Sequence, residues 1–429
     1  MGEVLVRGGR VVDANGSAAA DVLVRDGLVV GVGAGLDAGP GATVLDAGGC
    51  VVAPGLVDLH AHLRQPGREE AETVETGARA AALGGYTAVV AMPNTDPPID
   101  SASVVREVLE LGEKAACDVA VAGAITKGRR GEELAPMAEM AALGVRLFTD
   151  DGTGVQSGLL MRRAFEYASA LGVTLAQHCE DADLAAGGHM HEGSWSSRLG
   201  IPGIPAEAEE LMAMRDVALL RLTAALGSRL HFLHLSTAGS LAIVRAAKAG
   251  GLPVTVEVAP HHFTLTDEAV AGYDPVFKVN PPLRSAADVV AVKAALADGT
   301  VDAIATDHAP HPPEEKERPF DQAPPGMLGL ETALALALTE TDLPVEEVLA
   351  LMSRRPARIA GLDQHGGPIA EGRPANLCVF DPAAHWTVDA TRLASRSRNT
   401  PYAGRVLTGK VRHTVLHGEP VVVEGEAQR

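Results

Sequence analysis

A chain of 429 residues, 46% hydrophobic and only 3% aromatic, is long enough for one large domain and a smaller one and too apolar to be disordered throughout. Its formal net charge of -19, with no basic block, argues against a nucleic-acid partner; a small anionic substrate stays open, because a local cluster of metal and arginine can override the global field. No uncharged apolar run approaches the roughly 18 residues of a membrane span, so no membrane contact is expected.

The first fifty residues read as short β segments, Val4–Val6, Val11–Val12, Val22–Val24 and Leu28–Val30, broken by Gly, Asn and Asp turn signals. From residue 52 short apolar runs alternate with Ala-rich helical stretches, the pattern of βα units and a parallel sheet. Eight strands are expected at 52–58, 86–92, 118–124, 144–149, 173–178, 230–235, 254–258 and 301–306. That number fits a (β/α)8 barrel, in which catalytic groups sit at the C-terminal ends of the strands. The β texture returns in Asn376–Phe380, Val411–Val415 and Val421–Val423. The expected fold is therefore α/β: a TIM-like (β/α)8 barrel over 52–365, with residues 1–51 and 366–429 combining into a small discontinuous β-sandwich domain. Cys50, Cys117, Cys179 and Cys378 form no CxxC pair, and the Met1-Gly2-Glu3 start carries no secretory signal, so a reduced, cytoplasmic protein is expected, with Cys179 a buried inert thiol.

The chemistry collects at the strand ends. The run Asp58-Leu59-His60-Ala61-His62-Leu63-Arg64-Gln65-Pro66-Gly67 closes the first strand, and alternation puts His60 and His62 on one face, within reach of a single metal ion. Strand four is followed by Asp150 and Asp151, strand five by His178, strand six by His234 and strand eight by Asp307. Ligand-type residues thus finish five strands that open on the same barrel mouth.

These motifs resemble the amidohydrolase superfamily over nearly the whole chain and, within it, the bacterial dihydroorotases. The HxHxRxPG stretch is similar to theirs, as are Met92-Pro93-Asn94-Thr95, Phe148-Thr149-Asp150-Asp151-Gly152, Leu199–Pro205 and Asn280-Pro281-Pro282-Leu283-Arg284. The resemblance implies two Zn2+ ions, with His60, His62 and Asp307 on the first, His178 and His234 on the second, and Asp151 between them. Two divalent ions about 3.5–4 Å apart repel by roughly 20 kcal/mol at an effective dielectric of about 20, so anionic ligands are required. It further implies that Asp307 acts as base and then acid in opening the cyclic amide of dihydroorotate to carbamoyl aspartate. Arg64, Asn94 and His311 would hold the substrate carboxylate, and Asn280 with the Pro325-Gly326 backbone would read the ring amides. Hydantoinases and allantoinases are the rival reading, set apart by that carboxylate clamp. Besides the small-molecule substrate, the resemblance brings in a homodimer or an association with aspartate transcarbamoylase.

Many binuclear amidohydrolases bridge their metals with a carbamylated lysine on strand four, but Gly144–Thr149 contains no lysine, which favours Asp151 over both lysine and Asp150. His231 is expected in the core or behind the ligands, His261 and His262 behind the ligands or lining the substrate, and Asp58 and His308 as supports for them. His189, His191, His365, His385, His413 and His417 are expected on the solvated surface. The charged, Pro-rich stretch from His311 to Gly326 offers little to a core and reads either as a mobile cover over the mouth or as an ordered surface loop.

Overall fold

The computed structural model describes residues 2–429. The chain opens with β1 (Glu3–Asp13), β2 (Gly16–Arg25), β3 (Leu28–Gly33), β4 (Thr43–Asp46) and β5 (Val51–Pro54). Val4–Val6 and Val11–Val12, expected as separate segments, are two stretches of β1 joined across a bulge between Val6 and Gly9. The eight barrel strands follow: β6 (Leu56–Ala61), β7 (Tyr86–Ala91), β8 (Asp118–Val121), β9 (Leu147–Phe148), β10 (Thr174–Gln177), β11 (Leu230–Phe232), β12 (Val254–Val258) and β13 (Ala303–Ile304), with a separate short pair, Met190–His191 and Gly203–Ile204, between β10 and β11. They run parallel in chain order. Single bridges join Gly123 to Phe148 and Ala61 to His308, and these close the ring into a barrel.

Parallel strands covered on both faces read as apolar runs, and every residue of β6 and β7 is buried. Leu59, Val90, Leu147, Ala176 and Ala303, drawn from both sides of the ring, belong to one apolar cluster that fills it. A larger cluster packs the strands against the surrounding helices, among them Val74–Leu83, whose N-cap Thr73 accepts from Thr76 N at 3.1 Å.

The chain ends in β14 (Leu377–Thr387), β15 (Val406–Leu416), β16 (Glu419–Val423) and β17 (Glu426–Ala427). Among the described residues, the strands from the two termini form one nine-stranded sheet in the order β17-β16-β15-β14-β5-β1-β2-β3, with β4 also paired to β1. It has its own core, including Val6, Val22, Leu45, Val52, Val379 and Val415.

The strand expected at 52–58 is corrected by this pairing. Val51–Pro54 lies between β1 and β14 in the terminal sheet, and the barrel starts at Leu56. Gly55 is the switch point: an added Cβ would lie 2.1 Å from Thr87 Oγ1, so only glycine lets the chain pass between the two sheets. Two histidines expected on the surface are buried instead, His365 against Asp118 (2.8 Å) and His413 against the Asp46 carbonyl (3.0 Å). The stretch from His311 to Gly326 also gives more to the core than its composition suggests. Phe320 and Ala323 are buried, and the Lys316 ammonium donates to the carbonyls of Pro324 (3.0 Å) and Gly326 (3.1 Å). All four cysteines are buried and unpaired. Among the described residues no helix is long and apolar enough to cross a membrane.

Candidate metal centre

His60 lies in β6 and His62 just beyond it; Asp151, His178, His234 and Asp307 follow β9, β10, β11 and β13. All six side chains are buried and converge on the C-terminal mouth of the barrel. Arg64, His234 and Asp307 have left-handed φ values of 61°, 28° and 48°. For residues with a Cβ this costs of order 1–3 kcal/mol each, a strain that folds tolerate where a side chain must be aimed.

The Asp151 carboxylate faces two ways. Its Oδ2 is 3.5 Å from His60 Nε2 and 3.7 Å from His62 Nε2, while its Oδ1 is 3.6 Å from His178 Nδ1 and 3.4 Å from His234 Nε2. Asp307 Oδ1 completes the first group, 3.1 Å from His62 Nε2 and 3.6 Å from His60 Nε2. Ligands about 2.0–2.1 Å from one tetrahedral ion stand about 3.3 Å apart, close to these separations.

His60 Nε2 and Asp151 Oδ1 are buried with no hydrogen-bond partner, and His178 Nδ1 and His234 Nε2, the nitrogens that face Asp151, have only each other, at 3.1 Å. Buried polar atoms are rarely left so, and imidazole and carboxylate donors in this number suit a divalent transition metal. Burial works to raise both carboxyls, but the surrounding imidazoles hold Asp151 and Asp307 well below the usual carboxylate range, ionised as a cation requires.

A polar layer behind the ligands fixes their rings. His60 Nδ1 donates to Glu257 Oε1 at 2.8 Å, and His231 Nε2 donates to Glu257 Oε2 at 3.0 Å. Burial acts to raise the Glu257 carboxyl, and the two histidines hold it down to about 2. Glu257 went unnoticed in the sequence; its one signal is a carboxylate amid the valines of Val254–Val258. His231 belongs to this layer, as expected. His62 Nδ1 donates to Asn94 Oδ1 at 2.8 Å, and Asn94 Nδ2 donates to Asp151 Oδ2 at 3.3 Å, so Asn94 touches ligands as well as the cavity.

Asp58 and His308, expected as supports for the ligands, direct their side chains elsewhere, Asp58 to Thr306 (N, 2.8 Å; Oγ1, 2.6 Å) and His308 to Glu72 (3.3 Å), while the His308 carbonyl accepts from His62 N at 2.8 Å. His261 Nε2 is 3.9 Å from Asp307 Oδ2, and its burial keeps the ring neutral, with a pKa near 4. Glu257→Gln is expected to weaken metal retention by about 10–100-fold, the usual cost of losing such a partner. Metal remaining after graded chelator treatment measures it, and wild-type retention would show that Glu257 does not orient His60.

A cavity of about 160 Å³ opens on the ligands and is lined by every candidate residue except His60, which lies behind it. It suits a small ring rather than a large cofactor. Arg64 is buried in its wall, donating to the Pro310 carbonyl at 3.1 Å and standing 3.2 Å from His311 Nε2. Burial lowers its pKa to about 10, so it stays charged at neutral pH. Among the described residues no carboxylate pairs with it. His311 is held neutral, its pKa near 3, by burial and by the Arg64 charge. Asn280 Oδ1 also faces this cavity buried and unpartnered.

A closed parallel barrel with paired His/Asp clusters at its mouth defines a hydrolase of the amidohydrolase superfamily. A family model described as "Dihydro-orotase-like" matches residues 49–240. A dihydroorotase of Pelotomaculum thermopropionicum is 50% identical over 427 residues, 98% of each chain. One of Streptomyces coelicolor is 50% identical over 433 residues, 99% of this chain and 100% of the other. The chain belongs to the dihydroorotase family. Among solved structures, an L-hydantoinase (dihydropyrimidinase) from Arthrobacter aurescens superposes with a TM-score of 0.88 at 27% identity, covering 100% of this chain and 98% of that one.

Proposed function

We propose that the chain catalyses the reversible hydrolysis of the cyclic amide of dihydroorotate to N-carbamoyl-aspartate, a step of de novo pyrimidine (UMP) biosynthesis, in the cytoplasm. The observation that carries the substrate assignment is Arg64: a buried guanidinium without a carboxylate partner, beside the ligand cluster, is matched by the carboxylate of dihydroorotate and by nothing on a neutral hydantoin.

Two Zn2+ ions would be held here, one by His60, His62 and Asp307, the other by His178 and His234, with Asp151 shared. When bound, such ions polarise a carbonyl oxygen and bring the pKa of water to about 7. Asp307 takes the proton of the attacking water and returns it to the leaving ring nitrogen, serving as base and then acid. Arg64, with Asn94 and His311 beside it, fixes the substrate carboxylate. Asn280 and the Pro325-Gly326 backbone address the ring amides.

Arg64→Met tests the assignment. Losing a buried charged partner is expected to lower kcat/KM for dihydroorotate far more than for dihydrouracil, by about 10²-fold or more. Steady-state rates on both rings, with metal counted in each sample, measure it. A wild-type enzyme that prefers dihydrouracil or allantoin would sink the dihydroorotate assignment in favour of the hydantoinase reading.

The two-domain division expected from the sequence, a barrel over 52–365 between the two terminal segments, is our reading of the separate apolar clusters, with its start moved to Gly55 by the pairing of β5. A homodimer, or a complex with aspartate transcarbamoylase, rests on the family resemblance. Sedimentation of the chain alone and of the mixture distinguishes them.

A further inference from the structure

Asp118 stands at the start of β8, on the face of the barrel opposite the catalytic mouth. Its Oδ2 lies 2.8 Å from His365 Nε2 and 2.8 Å from His417 Nε2. Three parts of the chain remote in sequence therefore meet at one oxygen: a barrel strand, the segment following helix Arg355–Ala360, and the turn between β15 and β16. One ligand atom from each residue falls within 4.8 Å of the others.

Two further features fit a cation better than a plain ion pair. The far nitrogen of His365, Nδ1, is 3.0 Å from Thr87 Oγ1, and that hydroxyl is 3.5 Å from the Leu56 carbonyl oxygen. Metal-binding imidazoles commonly have their far N–H held in this way: Nδ1–H donates to Thr87, whose hydroxyl donates on to a carbonyl, and the Nε2 proton that meets Asp118 is the one a bound ion would displace. His417 occupies the first position of a tight turn with φ 48°, followed by Gly418 at φ 79°. This turn sets the His417 ring where its Nε2 meets Asp118 Oδ2 at 2.8 Å. Its backbone N–H is pinned by Asn376 Oδ1 at 2.7 Å.

We propose that Asp118, His365 and His417 form a further divalent-cation site, outside the catalytic centre, which fastens the terminal sheet to the base of the barrel. Two imidazoles and one carboxylate select a first-row transition ion such as Zn2+ over Mg2+ or Ca2+. The Asp118 and His417 side chains are 42% and 45% exposed, so water can complete the coordination shell. A cavity of about 440 Å³ lined by Asp118 and His365 adjoins the site. The 2.8 Å contacts are hydrogen-bond separations, and moving the ring tips outward by about 0.5 Å brings them to the ligand spacing of one ion. Burial acts to raise the Asp118 carboxyl, but the hydrogen bonds from the two histidines outweigh it and keep it ionised. An ion bound only by the folded arrangement stabilises it by an amount that grows with the logarithm of free ion above the dissociation constant.

Zn2+ is the probe, added to enzyme whose catalytic centre is already loaded with metal, so that the difference between variants reports this site alone. At equal free zinc, wild type is expected to hold one ion per chain more than His417→Gln. Apparent affinity at this site should fall in that variant by at least the about 10–100-fold that loss of a mere supporting partner costs, and by about tenfold in Thr87→Val. Added zinc should raise the unfolding temperature of wild type and leave that of His417→Gln nearly unmoved, while dihydroorotate turnover before the addition is the same in both. Asp118→Asn, which keeps the polar contacts and removes the charge, is the second variant if the glutamine disturbs the turn. Equal zinc uptake and equal thermal shifts in wild type and both variants, or no uptake beyond the catalytic centre, would overturn the proposal.

Discussion

Asp307→Asn is expected to lower kcat by at least about a hundredfold, the low end for removing an acid–base group, while the metal stays bound. An asparagine keeps an oxygen where Asp307 Oδ1 stands, 3.1 Å from His62 Nε2 and 3.6 Å from His60 Nε2, so the ligand cluster survives. It cannot take a proton and return it. The second oxygen, Oδ2, is 3.9 Å from His261 Nε2, and Asp307 lines the substrate cavity, where a proton can pass to a leaving nitrogen. Turnover and bound metal measured on one sample decide the matter. Near-normal turnover would shift the role to His261, whose unpartnered Nε2 stands nearest that oxygen.

Asp151→Ala is expected to remove metal and turnover together. Each of its oxygens faces a different histidine pair, so one truncation strips an anionic ligand from both groups. The loss in metal affinity should exceed the about 10–100-fold typical of a supporting hydrogen bond. Asp150 cannot take over, because its Oδ1 accepts from Ile125 N at 2.9 Å and Thr126 N at 3.0 Å and its Oδ2 is bonded to Thr126 Oγ1. Nor can a carbamylated lysine: Lys127, the nearest to strand four in sequence, pairs with Glu133 at 3.1 Å and is 47% exposed. Apoenzyme should therefore regain activity with zinc alone. A need for bicarbonate in that reconstitution, or an unharmed Asp151→Ala enzyme, would refute the bridge.

The convergence of His60, His62, Asp151, His178, His234 and Asp307 was legible in the sequence because they obey a local rule: a polar residue at the end of an apolar strand, repeated strand after strand. Glu257 breaks that rule. It sits inside β12, and its partners His60 and His231 come from other strands, so no window of sequence contains the reason for it. The buried histidines were misread for the same cause: His365 is explained by Asp118 and His413 by Asp46, partners remote in sequence that meet only in the folded chain. The start of the barrel was obscured by the run Val51-Val52-Ala53-Pro54-Gly55-Leu56-Val57, which is apolar on both sides of the switch. Hydrophobicity marks burial there, but it does not say in which sheet. In the stretch from His311 to Gly326, charge suggested solvent, whereas Lys316 spends its charge on backbone carbonyls next to the cavity.

The terminal sheet also constrains the order in which the molecule can be built. In β5, Val52 pairs with Val11 on one side and with Val379 on the other, so one edge of the first-made half waits for a strand translated after the whole barrel. Closing so long a loop adds only logarithmically to its entropic cost, but it places the pairing late in time. During synthesis the amino-terminal hairpins expose an unpaired edge for as long as the ribosome takes to reach Leu377. Completion of the fold is thus tied to completion of the chain, and a nascent chain released before β14 would carry an exposed strand edge prone to pairing with a neighbour.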